Sequence, residues 1–385
     1  MRTLSLFITG LLFLMLLPAC QPSSEPVANE NPGKFAQEVT LQPAEWLEIP
    51  IDTLTTLHGS YLAHYFDPQK QKHYLAYLND TQNEIQFYDL QTKALDWRLA
   101  FDEKAAVGKI DGFYVLSPDS VLVAGVENYQ YFLCNRKGEK IKTYRATPAN
   151  DLYWITDIRN FTRLGLFQKR KFIYHRLAYV SPRSEKYWDY PIAFRADLQT
   201  QKVDTVFKYE GARKRDIFTG AYHTFACDQV QENGYVYSLF MDNYVYYTDF
   251  KNPTQAHYAG SRYFEHIPSM ASLPDDSEKE FTFFRKNYSY RHIIYDAFRK
   301  VYYRFVLHPT RPDAPDYRHD KPFSIIILNE KLKKIGETEI FKDRMFYDNF
   351  FVGPEGLYIS QDHFDNPRTR EDSMRFRLFK LKQNS

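Results

Sequence analysis

The sequence predicts an all-β chain, a six-bladed β-propeller closed by its N-terminal strand and carrying one short helical insertion. Three observations lead there. The 385 residues include 31 Tyr, 31 Phe and 4 Trp, side chains suited to half-buried pleated surfaces, and most lie in short runs separated by turn residues. A corner motif recurs along the chain at spacings of 46, 62, 52 and 80 residues, near the period of one blade with insertions. The last strand-like runs stop one strand short of a blade, while a strand-like run near the N-terminus has no blade of its own.

The chain opens on a segment of another kind. Arg2 precedes an apolar run from Leu4 to Leu17, which ends at Leu17-Pro18-Ala19-Cys20. The run has the length of a signal-peptide core and is too short to span a bilayer as a helix. Residues 1–19 therefore read as a lipoprotein signal peptide, with small Ala19 for the peptidase pocket and Cys20 as the thiol that takes a diacylglyceryl thioether. One acyl chain binds membranes only marginally, so a stable anchor needs two or more. Residues 20–38 read as a lipidated, disordered tether, because Gln21 to Lys34 is rich in Pro, Ser, Asn and Glu and lacks apolar periodicity. The expected address is the bacterial cell envelope, on the outer membrane, held in the lipid bilayer through acylated Cys20.

Residues 39–385 read as a single domain, since no linker interrupts them and large all-β folds often exceed the usual domain size. Val39 to Ile51 is strand-like. Tyr74 to Leu78 precedes an Asn79-Asp80 turn, and Glu84-Ile85-Gln86-Phe87-Tyr88 alternates with the strand period. Gln91-Thr92-Lys93 turns into a strand over Ala94 to Phe101. Pro118-Asp119, Lys137-Gly138, Asn233-Gly234 and Gly353-Pro354-Glu355-Gly356 mark later turns. With only 15 Gly in the chain, the turns must lean on Asn, Asp, Pro and Ser.

The repeat is the strongest fold signal. Asp89-Leu90-Gln91-Thr92-Lys93-Ala94-Leu95-Asp96 nearly recurs 108 residues on, as Asp197-Leu198-Gln199-Thr200-Gln201-Lys202-Val203-Asp204. Similar corners stand at Asn135, Asp249 and Asn329. Blade repeats run to about 40–50 residues, so the longer offset corresponds to two blades and the five corners to five outer hairpins. A sixth blade begins near Phe346 and uses Phe351, Leu357-Tyr358-Ile359 and Phe376 to Leu381. Val39 to Ile51 supplies its missing strand, which leaves no open seam. A β-sandwich or two smaller sheets would use the same strands without this period. Asp275 to Tyr288 is the predicted helix, with Asp275 and Asp276 at its N-terminus.

Charge is nearly balanced, 50 Lys+Arg against 48 Asp+Glu, which gives no argument for nucleic acid. Of the cysteines after Cys20, Cys134 and Cys227 could pair in an exported protein, but free Cys also buries readily. The histidines follow no zinc spacing; His58, His64 and His73 are close in sequence and read as packing or surface groups. Asp362, Asp365, Asn366, Glu371 and Asp372 form an oxygen-rich loop interrupted by Arg368 and Arg370, without the ligand spacing of a calcium loop, and read as a solvated turn. Neither a metal nor another cofactor is expected. No nucleophile elbow occurs, although a triad assembled from several blades would leave no linear trace. Asp89, Asp197 and Asp249 resemble paired catalytic carboxylates, but their repetition assigns them to turns.

The leader box, the Asp/Asn corners, Ile293-Ile294-Tyr295-Asp296 leading into Val301-Tyr302-Tyr303-Arg304-Phe305, and Gly356-Leu357-Tyr358-Ile359 together resemble a family of Bacteroidota lipoproteins classed as a domain of unknown function. That family is similar to the six-bladed, TolB-like propellers. The resemblance spans about residues 39–385. It implies an envelope propeller and brings no catalytic set to transfer.

Two function classes follow. In the first, the propeller binds a protein or glycan partner without catalysis and is a monomer. Tyr153-Trp154, Arg183 to Trp188 and Tyr222-His223 are candidate face segments, each also suited to the core. The basic runs Lys169-Arg170-Lys171 and Arg213-Lys214-Arg215 flank Phe172, Tyr174 and Phe218; they are candidates for an anionic ligand or, as charge runs at loops commonly do, for solubility. Lys171, Arg213, Lys214, Tyr222 and His223 form the candidate ligand set. The alternative is an extracellular hydrolase or lyase acting on a polymer at the channel mouth. An exposed aromatic cluster at one mouth favours the first class; a cleft of titratable groups with displaced pKa values favours the second.

Overall fold

The computed structural model describes residues 37–384 apart from 58, 60, 105–106, 126–129, 146–152, 156–164, 168–170, 179–190, 201, 209–224, 231–233, 269–276, 311–320, 341–344 and 363–365. The strands are β1 (Val39–Pro50), β2 (Leu62–Asp67), β3 (Lys72–Asn79), β4 (Glu84–Asp89), β5 (Leu95–Ala100), β6 (Ile110–Ser117), β7 (Ser120–Gly125), β8 (Gln130–Cys134) and β9 (Lys140–Arg145). They continue as β10 (Tyr153–Ile155), β11 (Gly165–Phe167), β12 (Lys171–Ala178), β13 (Pro191–Asp197), β14 (Val203–Lys208), β15 (Phe225–Val230), β16 (Gly234–Leu239), β17 (Tyr244–Thr248) and β18 (Gln255–Tyr258). After helix α1 (Ser277–Lys286) come β19 (Ser289–Asp296), β20 (Val301–Leu307), β21 (Phe323–Asn329), β22 (Lys334–Glu339), β23 (Phe346–Gly353), β24 (Gly356–Ser360) and β25 (Ser373–Gln383).

These strands form six antiparallel sheets, the blades of a propeller. Five are consecutive meanders in chain order. The third has an extra short strand, because β10 and β11 both pair with β12. The sixth has the order β1-β25-β24-β23. Its outer strand is the N-terminal one, paired from Val39↔Gln383 to Pro50↔Ser373 with one irregularity between Pro43 and Trp46. The predicted closure is thus the observed one. β1 also works on both faces: Val39 and Leu41 join the core toward blade five, and Leu47 and Ile49 the core toward blade one.

The core lies between blades, which explains the aromatic supply. Middle strands are buried on both faces, as in β16, β20 and β24, where every residue is buried. Large flat side chains line the sheet faces, stacking on cross-strand neighbours within a blade, Phe87 on Trp97 at 3.6 Å and Phe351 on Tyr358 at 4.6 Å, and across blades, Phe207 on Tyr237 at 4.0 Å. Arg304 is fully buried between blades four and five. Its guanidinium lies 3.4 Å from the Tyr290 ring centroid and donates to Ser238 Oγ (2.9 Å) and to the carbonyls of Ala259 (2.9 Å), Asn243 (3.2 Å) and Asp242. A buried charge survives only when so fully hydrogen-bonded.

All five predicted corners join the third and fourth strands of a blade, and each side chain caps its own turn. Oδ1 of Asp89 accepts from the backbone N–H of Gln91 and Thr92 (2.8 and 3.3 Å), that of Asp197 from Gln199 and Thr200 (both 2.9 Å), and that of Asp249 from Lys251 and Asn252 (2.9 and 2.8 Å). The Asn corners reach one residue further, Asn135 to Lys137 and Glu139, Asn329 to Lys331 and Lys333. Gly138 takes the left-handed conformation (φ 78°) at one of them, while Lys93 and Leu332 do so at a steric penalty (φ 61° and 58°). Asp67 and Asp296 cap the inner hairpins of blades one and five in the same way.

Because the strands alternate in direction, the hairpins that join first to second and third to fourth strands lie on one face of the ring. The longer connections lie on the other. Helix α1 belongs to that connection face, between β18 and β19. It covers the centre of the predicted span, and residues 269–276 before it lie outside the described residues. Glu278 and Glu280 occupy its first turn and Arg285 and Lys286 its last, complementing the dipole. Lys321 is buried against its C-terminus, donating to the carbonyls of Phe284 and Asn287 (2.5 and 2.6 Å).

Cys134 and Cys227 are buried thiols that form no disulfide with one another. The oxygen-rich C-terminal loop is only partly the solvated turn its composition predicts. Asp362 and Asn366 are buried, because the β24–β25 connection uses them to satisfy its own donors: Asp362 accepts from the Arg375 N–H (2.8 Å) and Asn366 from the Arg368 N–H (3.0 Å). Burial raises the Asp362 carboxyl to about 6. Among the described residues no three His, Cys, Asp or Glu side chains are placed to hold a metal, and no helix is long and apolar enough to cross a membrane.

Candidate functional site

The innermost strands β2, β6, β15, β19 and β23 line the axis of the ring. Toward the hairpin face they enclose a cavity of about 220 Å³ lined from three blades: Tyr61, His64, Tyr65 and Phe66 from blade one, Phe113 and Tyr114 from blade two, Asp228 and Gln229 from blade four, with Ala63 and Val115 between them. Asp228 is held from two sides, its Oδ1 accepting from the Gln229 N–H (2.9 Å) and its Oδ2 from the Tyr295 N–H of blade five (2.7 Å).

At the mouth stands a cluster of four rings. His64 Nε2 and His73 Nδ1 are 2.9 Å apart, one donating to the other, with the imidazoles stacked at 5.1 Å. Phe66 lies against His73 at 4.7 Å, and Phe298, from the inner hairpin of blade five, meets His64 edge-on at 5.6 Å. Four large apolar side chains are exposed among the described residues, and Phe66 (38%) and Phe298 (47%) are two of them. Burial, helped by His73, lowers the His64 pKa to about 4, so its imidazole is neutral at physiological pH. Arg299, beside Phe298, is engaged by Asp296 and by the Gly353 and Pro354 carbonyls (2.8 and 2.7 Å). On the inner strands of blades five and six, Asp348 accepts from Arg291 Nε (3.0 Å) and pairs with His292 Nε2 (2.7 Å).

Two buried clusters contain residue types of nucleophilic catalysis. Cys227 Sγ lies 3.4 Å from His175 Nε2, which also meets the Tyr237 hydroxyl at 3.0 Å; burial lowers the imidazole to about 3. An imidazole held so far below its ordinary value by burial is a poor acceptor for the thiol proton, which disfavours an activated thiolate–imidazolium pair there. Ser324 sits between His308 (3.0 Å) and Glu337 (2.9 Å), all buried. The hydroxyl, rather than the imidazole, occupies the middle position, which is not the order of a catalytic triad. Glu337 also accepts from Ser261 Oγ (2.6 Å) and the Arg262 N–H (2.8 Å), so this network joins blade five to the segment after blade four.

The residues predicted for function fare unevenly. Cys20, Arg213, Lys214, Tyr222 and His223 lie outside the described residues, as do Arg183 to Trp188 and His58; Tyr153 and Trp154 open the short strand β10. Lys171 starts β12 opposite the Asp197 corner, at the hairpin face. Lys208 and Phe225, which flank residues 209–224, are strand ends at the connection face. The pairing of His64 with His73 was hinted by their closeness in sequence, since a tight hairpin separates them. The approach of Phe298 from blade five had no linear signal.

The wheel of six sheets closed by its own N-terminal strand defines the chain as a six-bladed β-propeller. More particularly, a family model described as a domain of unknown function, DUF4221, matches residues 38–339, and the chain belongs to that family. The crystal structure of a DUF4221 member from Bacteroides vulgatus is similar, with a TM-score of 0.80 at 24% identity over 91% of this chain and 100% of that one. A Bacteroides fragilis protein described as exported shares the fold with a TM-score of 0.57 at 12% identity over 94% and 100%. No curated protein matches the sequence.

Proposed function

We propose that the propeller is an envelope-anchored binding module, held by acylated Cys20, whose channel mouth on the hairpin face receives a protein or glycan partner without catalysis. The observation that carries this reading is the exposed Phe66 and Phe298 pair beside a cavity lined largely by aromatic rings. Exposed clusters of this kind mark interaction sites on otherwise polar surfaces. His64, the imidazole on the cavity, stays neutral down to about 4. A displaced pKa in a cleft is a mark of catalytic sites, but a base that weak is poorly matched to proton transfer near neutral pH, so the exposed aromatic pair decides for binding at this mouth.

Topology adds an orientation. β1 begins at Val39 beside Gln383, at the hairpin face. A tether from Cys20 would therefore join the propeller on the face that bears the mouth, and the partner would be met on the anchored side. The test is capture from the native envelope combined with a glycan array, using the wild-type chain and a Phe66→Ala, Phe298→Ala double variant. The reading expects one reproducible partner that the double variant loses while its melting temperature is kept. Undiminished capture by the folded variant would refute it.

A further inference from the structure

We propose that the axial cavity takes one neutral sugar residue, its apolar ring face set against the exposed phenyl rings at the mouth and its hydroxyls turned inward. This rests on the reading of the mouth as a binding site and names the chemistry it recognises. The cavity, about 220 Å³, is smaller than the ~300 Å³ or more of sites for drug-sized ligands, so it admits a single ring or one protruding residue of a longer chain. Its lining is amphipathic in the manner a pyranose needs. Phe66, Phe113 and Tyr114 bring aromatic rings to the lining, while Asp228 and Gln229 bring oxygen acceptors from the opposite side of the channel.

The charge pattern selects a neutral ligand. The described lining has one carboxylate, Asp228, and neither Lys nor Arg. The guanidinium nearest the mouth in sequence, Arg299, is engaged by Asp296. An acidic sugar would bring its carboxylate toward that of Asp228 without a cation from the described lining. The neutral state of His64 leaves its imidazole as a hydrogen-bonding group rather than an anion receptor.

The experiment is saturation-transfer NMR and calorimetry on the folded chain, with the methyl glycosides of glucose, galactose, mannose and N-acetylglucosamine, and with glucuronic acid as the charged counterpart. At least one neutral glycoside should bind, with its ring C–H protons receiving the strongest transfer, and glucuronic acid should bind at least about tenfold more weakly. Phe298→Ala, at an exposed position, should weaken the neutral sugar by up to about tenfold, the range of a lost aromatic contact. Failure of all four neutral sugars, or equal binding of glucuronic acid, overturns the inference. If envelope capture still depends on Phe66 and Phe298 in that case, only the sugar assignment falls; if capture also fails, the site itself is wrong.

Discussion

Asp89 shows how much one side chain settles. Its carboxylate caps two backbone N–H groups and pairs with Lys72 Nζ at 2.7 Å. Asp89→Ala should lower unfolding stability by about 1–2 kcal/mol, the value of a lost cap, whereas Asp89→Asn should keep most of it; urea midpoints would compare them. The same logic explains why repetition identified these acids as structural: the turn needs the acceptor in every blade. Arg304 is a different case. Its place in the Val301–Phe305 run was visible, its burial was not, since a lone charge in a strand usually points to solvent. Arg304→Leu would remove the guanidinium donor from the Ala259 carbonyl and from Ser238 Oγ, and should cost about 3 kcal/mol or more.

At the scale of elements, β1 has the most consequence. It covers the edge of β25, and an uncovered edge is a template for pairing with another chain. A chain lacking residues 37–50 should self-associate more than the full chain at equal concentration, as light scattering would detect. Ile49 is fully buried between blades six and one, so Ile49→Ala should destabilise by about 2–5 kcal/mol in chemical denaturation. The closure strand was legible because Phe346–Leu381 is one strand short of a blade, and the corners because Asp and Asn stand where Gly is scarce. The doubled inner strand of blade three was not legible: β10 and β11 have three residues each, too few for a period to emerge. The buried part of the Asp362 loop was missed for a related reason, since composition reports polarity and not which backbone donors need it.

Across the whole molecule, burial of neutral imidazoles sets the response to acid. His64, His175 and His308 are lowered from 6.5 to about 4, 3 and 4 by desolvation. Below pH 6.5 the unfolded chain takes these protons while the folded chain resists them, so stability falls as pH drops from 6.5 toward 4. Asp362, raised from 3.8 to about 6, acts in the opposite sense, its contribution being present below 3.8 and lost as pH rises through 6. His257, also lowered by burial, adds to the three imidazoles against the one carboxyl, and the melting temperature should be lower at about pH 4.5 than at pH 7, as calorimetry would record.

The two faces of the ring make the functional claim directly measurable. A photoreactive amino acid can replace Phe298, at the hairpin-face mouth, or Leu54, equally exposed in the connection between β1 and β2 on the other face. After irradiation of cells that carry the full-length protein, the account predicts a discrete adduct from position 298 and none from position 54. An adduct from position 54 alone would place the partner on the opposite face and contradict it.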